Sequence, residues 1–171
     1  MIKIDSDINN KIDEYYLSII KNHKKKGNLK NSIRLICLYN ILITDGNPIF
    51  KEDLLETFGL EKKQLKKGIK FCKENNIPIK NLTIIDIVKI YLRKLLIKNY
   101  NEKLIEQLYE MIISCDIFNR VKDKTIAGLI VYYLLEKNKI LEENDFYMKI
   151  DIGKVTIEKY IKDIHQILDN L

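Results

Sequence analysis

Lysine gives this sequence its clearest chemical pattern. Within residues 61–75 the lysines recur at three- and four-residue spacing, which places Lys62, Lys66 and Lys70 on one side of a helix whose other side is apolar. An ammonium group on a flexible stem neutralises phosphate without reading base identity. The pattern therefore indicates a surface for a polyanion. The alternative is a solvated helix face in a lysine-rich protein.

The net charge of +6 is distributed unevenly along the chain. Residues 1–101 hold 20 Lys/Arg and 11 Asp/Glu, a balance of +9, whereas residues 102–171 hold ten and thirteen, a balance of −3. A basic half beside a mildly acidic half indicates that one half faces a polyanion or an acidic partner.

Residue types that carry catalysis are sparse and scattered. His23 and His165 lie far apart, and glycine-rich phosphate loops are missing from the sequence. The acidic run 142–145 lacks the glycine of a calcium loop and is interpreted as a solvated loop. We therefore predict a protein that is not an enzyme and uses no metal or cofactor. The three cysteines, each in an apolar helical pattern, are interpreted as buried free thiols: Cys37, Cys72 and Cys115.

The composition is that of a soluble globular protein, with 46% hydrophobic and 32% charged residues in 171. No apolar run approaches the roughly 20 residues of a membrane span, and the first residues lack the apolar core of a signal peptide. We expect an intracellular protein without a membrane partner. The abundance of Ile, Lys and Asn is typical of an AT-rich genome, and a virus is one such source.

Apolar residues at helical spacing predict five helices in the first half of the chain. Asp5-Ser6-Asp7 offers capping side chains to the first helix, and Asn31 or Ser32 is the expected cap of the second. A turn is expected at Asp45-Gly46-Asn47-Pro48. The predicted helices span residues 8–22, 32–44, 51–57, 61–75 and 83–98.

The second half of the chain repeats the first. Three segments recur in the same order at an offset of 93 or 92 residues, and they predict second-copy helices at 103–118, 124–137, 144–150 and 154–169. The aligned pairs are 32–42 with 125–135, 12–20 with 105–113, and 60–69 with 152–161. We predict an all-α fold of two tandem repeats, 1–99 and 100–171, the second lacking a fifth helix.

The second repeat contains a long apolar helix at Thr125–Leu135, then a short helix, a turn at Asp151-Ile152-Gly153, and an amphipathic helix that begins at Lys154. This order resembles a helix-turn-helix unit on a core helix. The same order in the first repeat predicts a similar unit there.

Several short motifs follow one another in a fixed order along the chain. They are Lys26-Gly27, Ser32-Ile33 with Leu38-Tyr39, Gly46-Asn47-Pro48, Thr125-Ile126-Ala127-Gly128 with Val131-Tyr132, and Val155-Thr156-Ile157. Over about residues 8–170 these ordered motifs resemble the cyclin-like repeats of transcription factor IIB and its archaeal counterpart. The resemblance implies two cyclin-like repeats. No Cys-x-x-Cys zinc ribbon is present, and Glu158 stands where the family has a basic residue.

The resemblance implies two binding surfaces. The first would meet DNA phosphates and a TATA-binding-type protein, and it consists of Lys26, Gly27, Lys30, Lys62, Lys63, Lys66, Lys67 and Lys70. The second lies at the start of the last helix, where a recognition helix reaches base edges, and it consists of Lys154, Val155, Thr156, Glu158, Lys159 and Lys162. For this second surface the alternative is a helix-turn-helix that serves only in packing.

Two functions follow as expectations. The first is a monomeric transcription initiation factor core that binds promoter DNA, a TATA-binding-type protein and RNA polymerase, in the nucleus or another site of transcription, which for a virus is the viral factory. The second is a cyclin-like protein-interaction module that docks on a kinase or other regulator without DNA. Basic helix ends favour the first, while the missing zinc ribbon favours the second.

Overall fold

The protein is all-helical. The computed structural model describes residues 4–20 and 25–168, and within these ranges it contains helices, turns and loops but no strand. No helix in the described ranges is long and apolar enough to cross a membrane. The α-helices are α1 (Ser6–Ile20), α2 (Gly27–Thr44), α3 (Lys62–Glu74), α4 (Ile84–Lys94), α5 (Glu102–Ile113), α6 (Asp123–Lys137), α7 (Glu143–Lys149) and α8 (Lys154–Leu168). Short 3₁₀ helices span Lys51–Leu54, Glu56–Phe58 and Asp116–Phe118.

The chain divides into two compact units, Met1–Asn81 and Leu82–Leu171, called here the first and second units. The sequence predicts a boundary at residue 99, which assigns the helix at 83–98 to the first repeat. In the structure α4 instead packs against α6 of the second unit. The reason lies in α6, which is buried at every position from Ile126 to Leu135 and therefore needs cover on all sides.

The first unit is built around α2. Residues Leu35 to Tyr39 of this helix are all buried, and α2 packs against α1, α3 and the 3₁₀ helices Lys51–Leu54 and Glu56–Phe58. Arg34 forms an ion pair with Asp13, which joins α2 to α1. The expectation that Asn31 or Ser32 caps α2 is wrong, because the helix begins earlier, at Gly27. Ser32 is buried inside the helix, where its hydroxyl donates to the Asn28 carbonyl at 2.7 Å.

The two core helices, α2 and α6, end in the same way. The amide of Asn47 donates to the Leu42 carbonyl at 2.8 Å, and the amide of Ile140 donates to the Leu135 carbonyl at 2.9 Å. Each of these bonds closes a left-handed turn, at Gly46 with φ +72° and 93 positions later at Lys139 with φ +56°. The sequence repeat thus extends to a backbone conformation that lysine adopts only at a cost.

Candidate nucleic-acid interface

Helix α3 presents a lysine face to solvent. Its buried residues are Leu65, Gly68 and Cys72, and the remaining sides of the helix carry the charge. Within the described residues, one of these lysines is ion-paired: Lys70 lies 3.7 Å from Glu74, and both side chains are exposed. The lysine face, all exposed, consists of Lys62, Lys63, Lys66, Lys67, Lys70 and Lys73.

This face accounts for most of the protein's excess charge. The first unit contains 16 Lys/Arg and 10 Asp/Glu, a balance of +6, and the second contains 14 of each. Six lysines and one glutamate give α3 alone a balance of +5. The charge contrast between the structural units, +6 against 0, is smaller than that across residue 101, +9 against −3, because residues 82–101 carry a balance of +3 and belong to the second unit.

The position of α3 is fixed by a close helix–helix contact. A capping box starts the helix, since the Glu61 amide donates to Gln64 Oε1 at 2.8 Å. The Ser32 hydroxyl lies 3.1 Å from the Gln64 carbonyl and bridges α2 to α3. Gly68 faces Ser32 so closely that a Cβ atom at position 68 would lie 2.4 Å from Ser32 Cβ. A glycine is therefore required where the two helices touch.

The start of α2 contains the remaining residues of the first predicted surface, and α2 packs against α3. Lys26 and Gly27 are exposed, and Gly27 has a φ of +57° that suits glycine. Lys30 is half-buried, with its Nζ 5.9 Å from the centre of the Tyr16 ring. No side chain caps this end of the helix. The basic run continues N-terminally into residues 21–24, which lie outside the described residues.

A cleft separates the first turn of α2 from α3. Its volume is about 510 Å³, and its walls include Leu29 from α2 and Lys67, Lys70 and Phe71 from α3. The Nζ atom of Lys25 lies 4.9 Å from the centre of the Phe71 ring. Lysines from two segments thus border one half-buried aromatic ring. Sequence reasoning missed this feature, because residues 25 and 71 are distant in the chain.

The second predicted surface is partly neutralised by acidic side chains. Lys154 Nζ lies 3.2 Å from Glu143 Oε2 and 3.8 Å from Glu158 Oε1. The bond to Glu143 raises the pKa of Lys154. Glu158 thus forms an i,i+4 ion pair with Lys154, whereas Lys162, four residues later on the same described helix, makes no ion pair with it.

The other residues of this surface differ in exposure. Val155 is 79% exposed, while Thr156 is half-buried. Lys159 is exposed, with its Nζ 4.7 Å from the centre of the Tyr160 ring, and Lys162 is exposed. The start of α8 therefore offers an apolar tip between charged groups, with less free positive charge than α3.

A buried tyrosine connects α6, α7 and α8 in the second unit. The Tyr132 hydroxyl donates to Glu143 Oε1 at 3.2 Å, so Glu143 joins α6 to Lys154 of α8. Burial, then the neighbouring Tyr147 and Glu143, raise the pKa of Tyr132. The turn before α8 packs against Gly128 of α6, because the Ile152 side chain occupies the space of a Cβ atom there. A Cβ atom at position 128 would lie 2.1 Å from Ile152 Cδ1.

The equivalent position in the first unit carries the opposite charge. Lys51, 92 residues before Glu143, places its Nζ 3.9 Å from the centre of the Tyr39 ring. Burial lowers the pKa of Lys51. Of the two aligned core tyrosines, Tyr39 is thus covered by a cation, whereas Tyr132 is bonded to a carboxylate. Residues 51 and 143 lie outside the three aligned sequence segments, so the contacts with the tyrosines are what identify this contrast.

The cysteines and His165 contribute no second centre to this interface. Burial raises the pKa of Cys37 to about 12 and that of Cys72 to about 11, so both thiols are protonated at neutral pH. Cys115 is half-buried. His165 Nε2 lies 2.7 Å from Glu136 Oε2. Among the described residues, no group of three or more His, Cys, Asp or Glu side chains is arranged to hold a metal ion.

The sequence matches no family model. It is similar to Uncharacterized protein 359L of Invertebrate iridescent virus 6, with 26% identity over 179 aligned positions. The alignment covers 94% of this chain and 51% of the viral protein, so the chain spans about half the length of that relative.

Proposed function

We propose that this protein is a transcription factor IIB-like core of two cyclin-like repeats that binds promoter DNA through the first unit. In this proposal α3 and the start of α2 lie along the phosphate backbone, and the same unit contacts a TATA-binding-type protein. RNA polymerase is a further partner, reached through that complex. The resemblance of the ordered motifs supports the proposed family, and the charge distribution supports the proposed DNA-binding surface.

The observation that carries the proposal is the lysine face of α3. Lys62, Lys63, Lys66 and Lys67 make no ion pair with any described acidic residue, so their charges are available to a ligand. Exposed lysines without carboxylate partners are suited to contact phosphates, whose binding releases counterions. A solvated face needs no such one-sided composition, because alternating charges along a helix stabilise it better.

The second unit has a lesser role in DNA binding under this proposal. Its charge balance is zero, and Glu143 and Glu158 flank Lys154 at the tip of α8. A carboxylate at position 158 cannot donate to guanine and is repelled by phosphate. We therefore propose that α8 reads few bases and that sequence preference upstream of the promoter element is weak.

The viral relative bears on where this function would be performed. A viral protein with a promoter-binding core acts where viral genes are transcribed, in the nucleus or in a viral factory. The relative's name assigns it no activity, so this location is proposed from the proposed function together with the viral source of the relative.

The test is duplex DNA binding as a function of salt, measured by fluorescence anisotropy with and without a TATA-binding protein. Affinity should fall steeply with salt, by about 0.9 log units per neutralised phosphate per log unit of salt. Replacing Lys62, Lys66 and Lys70 with Glu should weaken binding to every sequence and reduce the slope by up to about 2.7. Replacing the exposed Lys98, Lys103 and Lys122 of the second unit with Glu changes net charge equally and is the matched control. Equal effects of the two triple variants would refute the proposed surface.

A second candidate, the protein-interaction module, is favoured by one observation. Met148 of α7 is 82% exposed and Val155 of α8 is 79% exposed, and an exposed apolar side chain offers buried contact area to a protein but neither charge nor hydrogen bonds to a phosphate. If this candidate holds, Met148→Ser with Val155→Ser abolishes capture of a kinase or regulator while the α3 variant leaves it unchanged. Loss of DNA binding in the α3 variant would instead favour the first candidate.

A further inference from the structure

The cleft between α2 and α3 contains an aromatic ring in an unusual setting. Phe71 is half-buried and forms part of the wall of a cleft of about 510 Å³, next to the exposed lysine face. The atom that covers its ring is Lys25 Nζ, at 4.9 Å, on a side chain with many rotamers. An aromatic face that attracts a cation can also stack on a nucleic-acid base.

The charges around this ring suit a phosphate. Lys67 and Lys70 lie in the same cleft wall, and Lys25 lies on the ring itself. Glu74 lines the cleft as well, but it is within 3.7 Å of Lys70 and so offsets one of these charges. Lys25 and Lys67 make no ion pair with any residue in the described part of the chain, which leaves two ammonium groups for an anion beside the ring.

The size and composition of the cleft define the ligand. Its volume lies within the roughly 300–1,000 Å³ of small-ligand sites and accommodates one nucleotide. Bases within a duplex are stacked on one another and cannot present a face to a protein ring, whereas an unpaired base can stack on phenylalanine. We propose that this cleft binds an unpaired nucleotide, with the base on Phe71 and the phosphate between Lys25 and Lys67.

This inference rests on the proposed function, since the nucleotide would belong to DNA already held on α3. It adds a preference that the lysine face alone cannot give. A lysine face binds duplex and single strand according to their phosphates, while a stacking cleft distinguishes strands by the presence of a base. An acidic peptide would satisfy the lysines but not the ring, and it is therefore an informative competitor.

The experiment compares two single-stranded oligonucleotides with the same number of phosphates, one of normal sequence and one with abasic sites. The unmodified protein should bind the normal strand on the order of ten-fold more tightly than the abasic strand. Phe71→Leu should remove this difference, and Phe71→Tyr should retain it. Tyr109→Leu, which removes a half-buried ring from α5, is the matched control and should also retain it. Circular dichroism and thermal unfolding show that each variant is folded.

Three results would overturn the inference. These are equal affinity of the unmodified protein for both strands, a base preference that survives Phe71→Leu, and competition by an acidic peptide of matched charge as effective as that by the normal strand. Duplex binding by the variant with Lys62, Lys66 and Lys70 replaced by Glu is measured in parallel. If that variant loses duplex affinity while the strands are bound equally, the stacking site fails and the proposed function stands. If duplex affinity is unchanged in that variant, the proposed function fails.

Discussion

The contact between Gly68 and Ser32 yields a quantitative prediction, because one added methyl group would fall directly between α2 and α3. In Gly68→Ala the new Cβ atom would lie 2.4 Å from Ser32 Cβ and 3.4 Å from the Ser32 carbonyl carbon. Carbon atoms in contact need about 3.5–4.0 Å. The two helices must therefore separate by about 1 Å, since a Cβ atom is fixed to its backbone.

The expected free-energy change is the sum of opposing effects. Alanine in a helix interior gains about 1 kcal/mol over glycine. Overpacking costs about 1–3 kcal/mol. The Ser32 hydroxyl shares its one proton between the Asn28 carbonyl at 2.7 Å and the Gln64 carbonyl at 3.1 Å, and loss of this shared bond between the helices costs about 1 kcal/mol more. We expect Gly68→Ala to destabilise the first unit by about 1–3 kcal/mol, measured as a shift in the urea unfolding midpoint followed by circular dichroism.

Gly128→Ala is the matched control in the second unit. The contact there is shorter, 2.1 Å, but it involves Ile152 Cδ1, the free end of a side chain that can rotate away. The helix-propensity gain of about 1 kcal/mol should then offset most of the cost, and stability should change by less than about 1 kcal/mol. If Gly128→Ala proves more destabilising than Gly68→Ala, the distinction between backbone-fixed and mobile contacts is refuted here.

Three further predictions concern the backbone, pH and α8. Lys139→Gly should stabilise the second unit by about 1 kcal/mol in thermal unfolding, because Lys139 has a φ of +56°, and Gly46→Ala should destabilise the first unit by a similar amount. Folding raises the pKa of Cys37 from 9.0 to about 12, so the contribution of its protonated thiol to stability is complete below pH 9 and is lost as pH rises toward 12. Cys37→Ala should therefore make the urea unfolding midpoint depend less on pH between 9 and 12. Glu158→Arg should raise duplex affinity, steepen its salt dependence by up to about 0.9, and add preference for guanine at one position in a binding-site selection.

Helix existence could be predicted from the sequence because each helix has a local signal. The apolar period marks α3 and α8, and the nearly continuous apolar run marks α6 as a core helix, buried from Ile126 to Leu135. The start of α2 could not be predicted in the same way. Ser32 has the chemistry of a cap, but in the structure its hydroxyl bonds a carbonyl within the helix, and the helix starts at an uncapped glycine, Gly27.

The packing of α4 and the cleft at Phe71 depend on contacts that no local pattern encodes. An amphipathic helix at Ile84–Lys94 fits either neighbouring repeat, and the demand of α6 for cover on all sides decides between them. Phe71 occupies a position between the buried and exposed sides of α3, so periodicity alone assigns it to neither. Its partner Lys25 comes from a basic run that would be interpreted as solvated.

The core tyrosines of the two units have partners of opposite charge, and this difference affects which surface of each unit could bind DNA. Tyr39 and Tyr132 are equivalent core residues, yet Lys51 covers the first and Glu143 bonds the second. Glu143 also forms an ion pair with Lys154, which reduces the free positive charge at the tip of α8. The residue at position 143, which packs against Tyr132, therefore also affects the charge at the start of α8. If the lysine face of α3 binds phosphate, the pairing of Glu143 with Lys154 leaves α8 free to contact a protein rather than DNA. Glu143→Gln would then release Lys154 from this ion pair and increase its contribution to duplex binding.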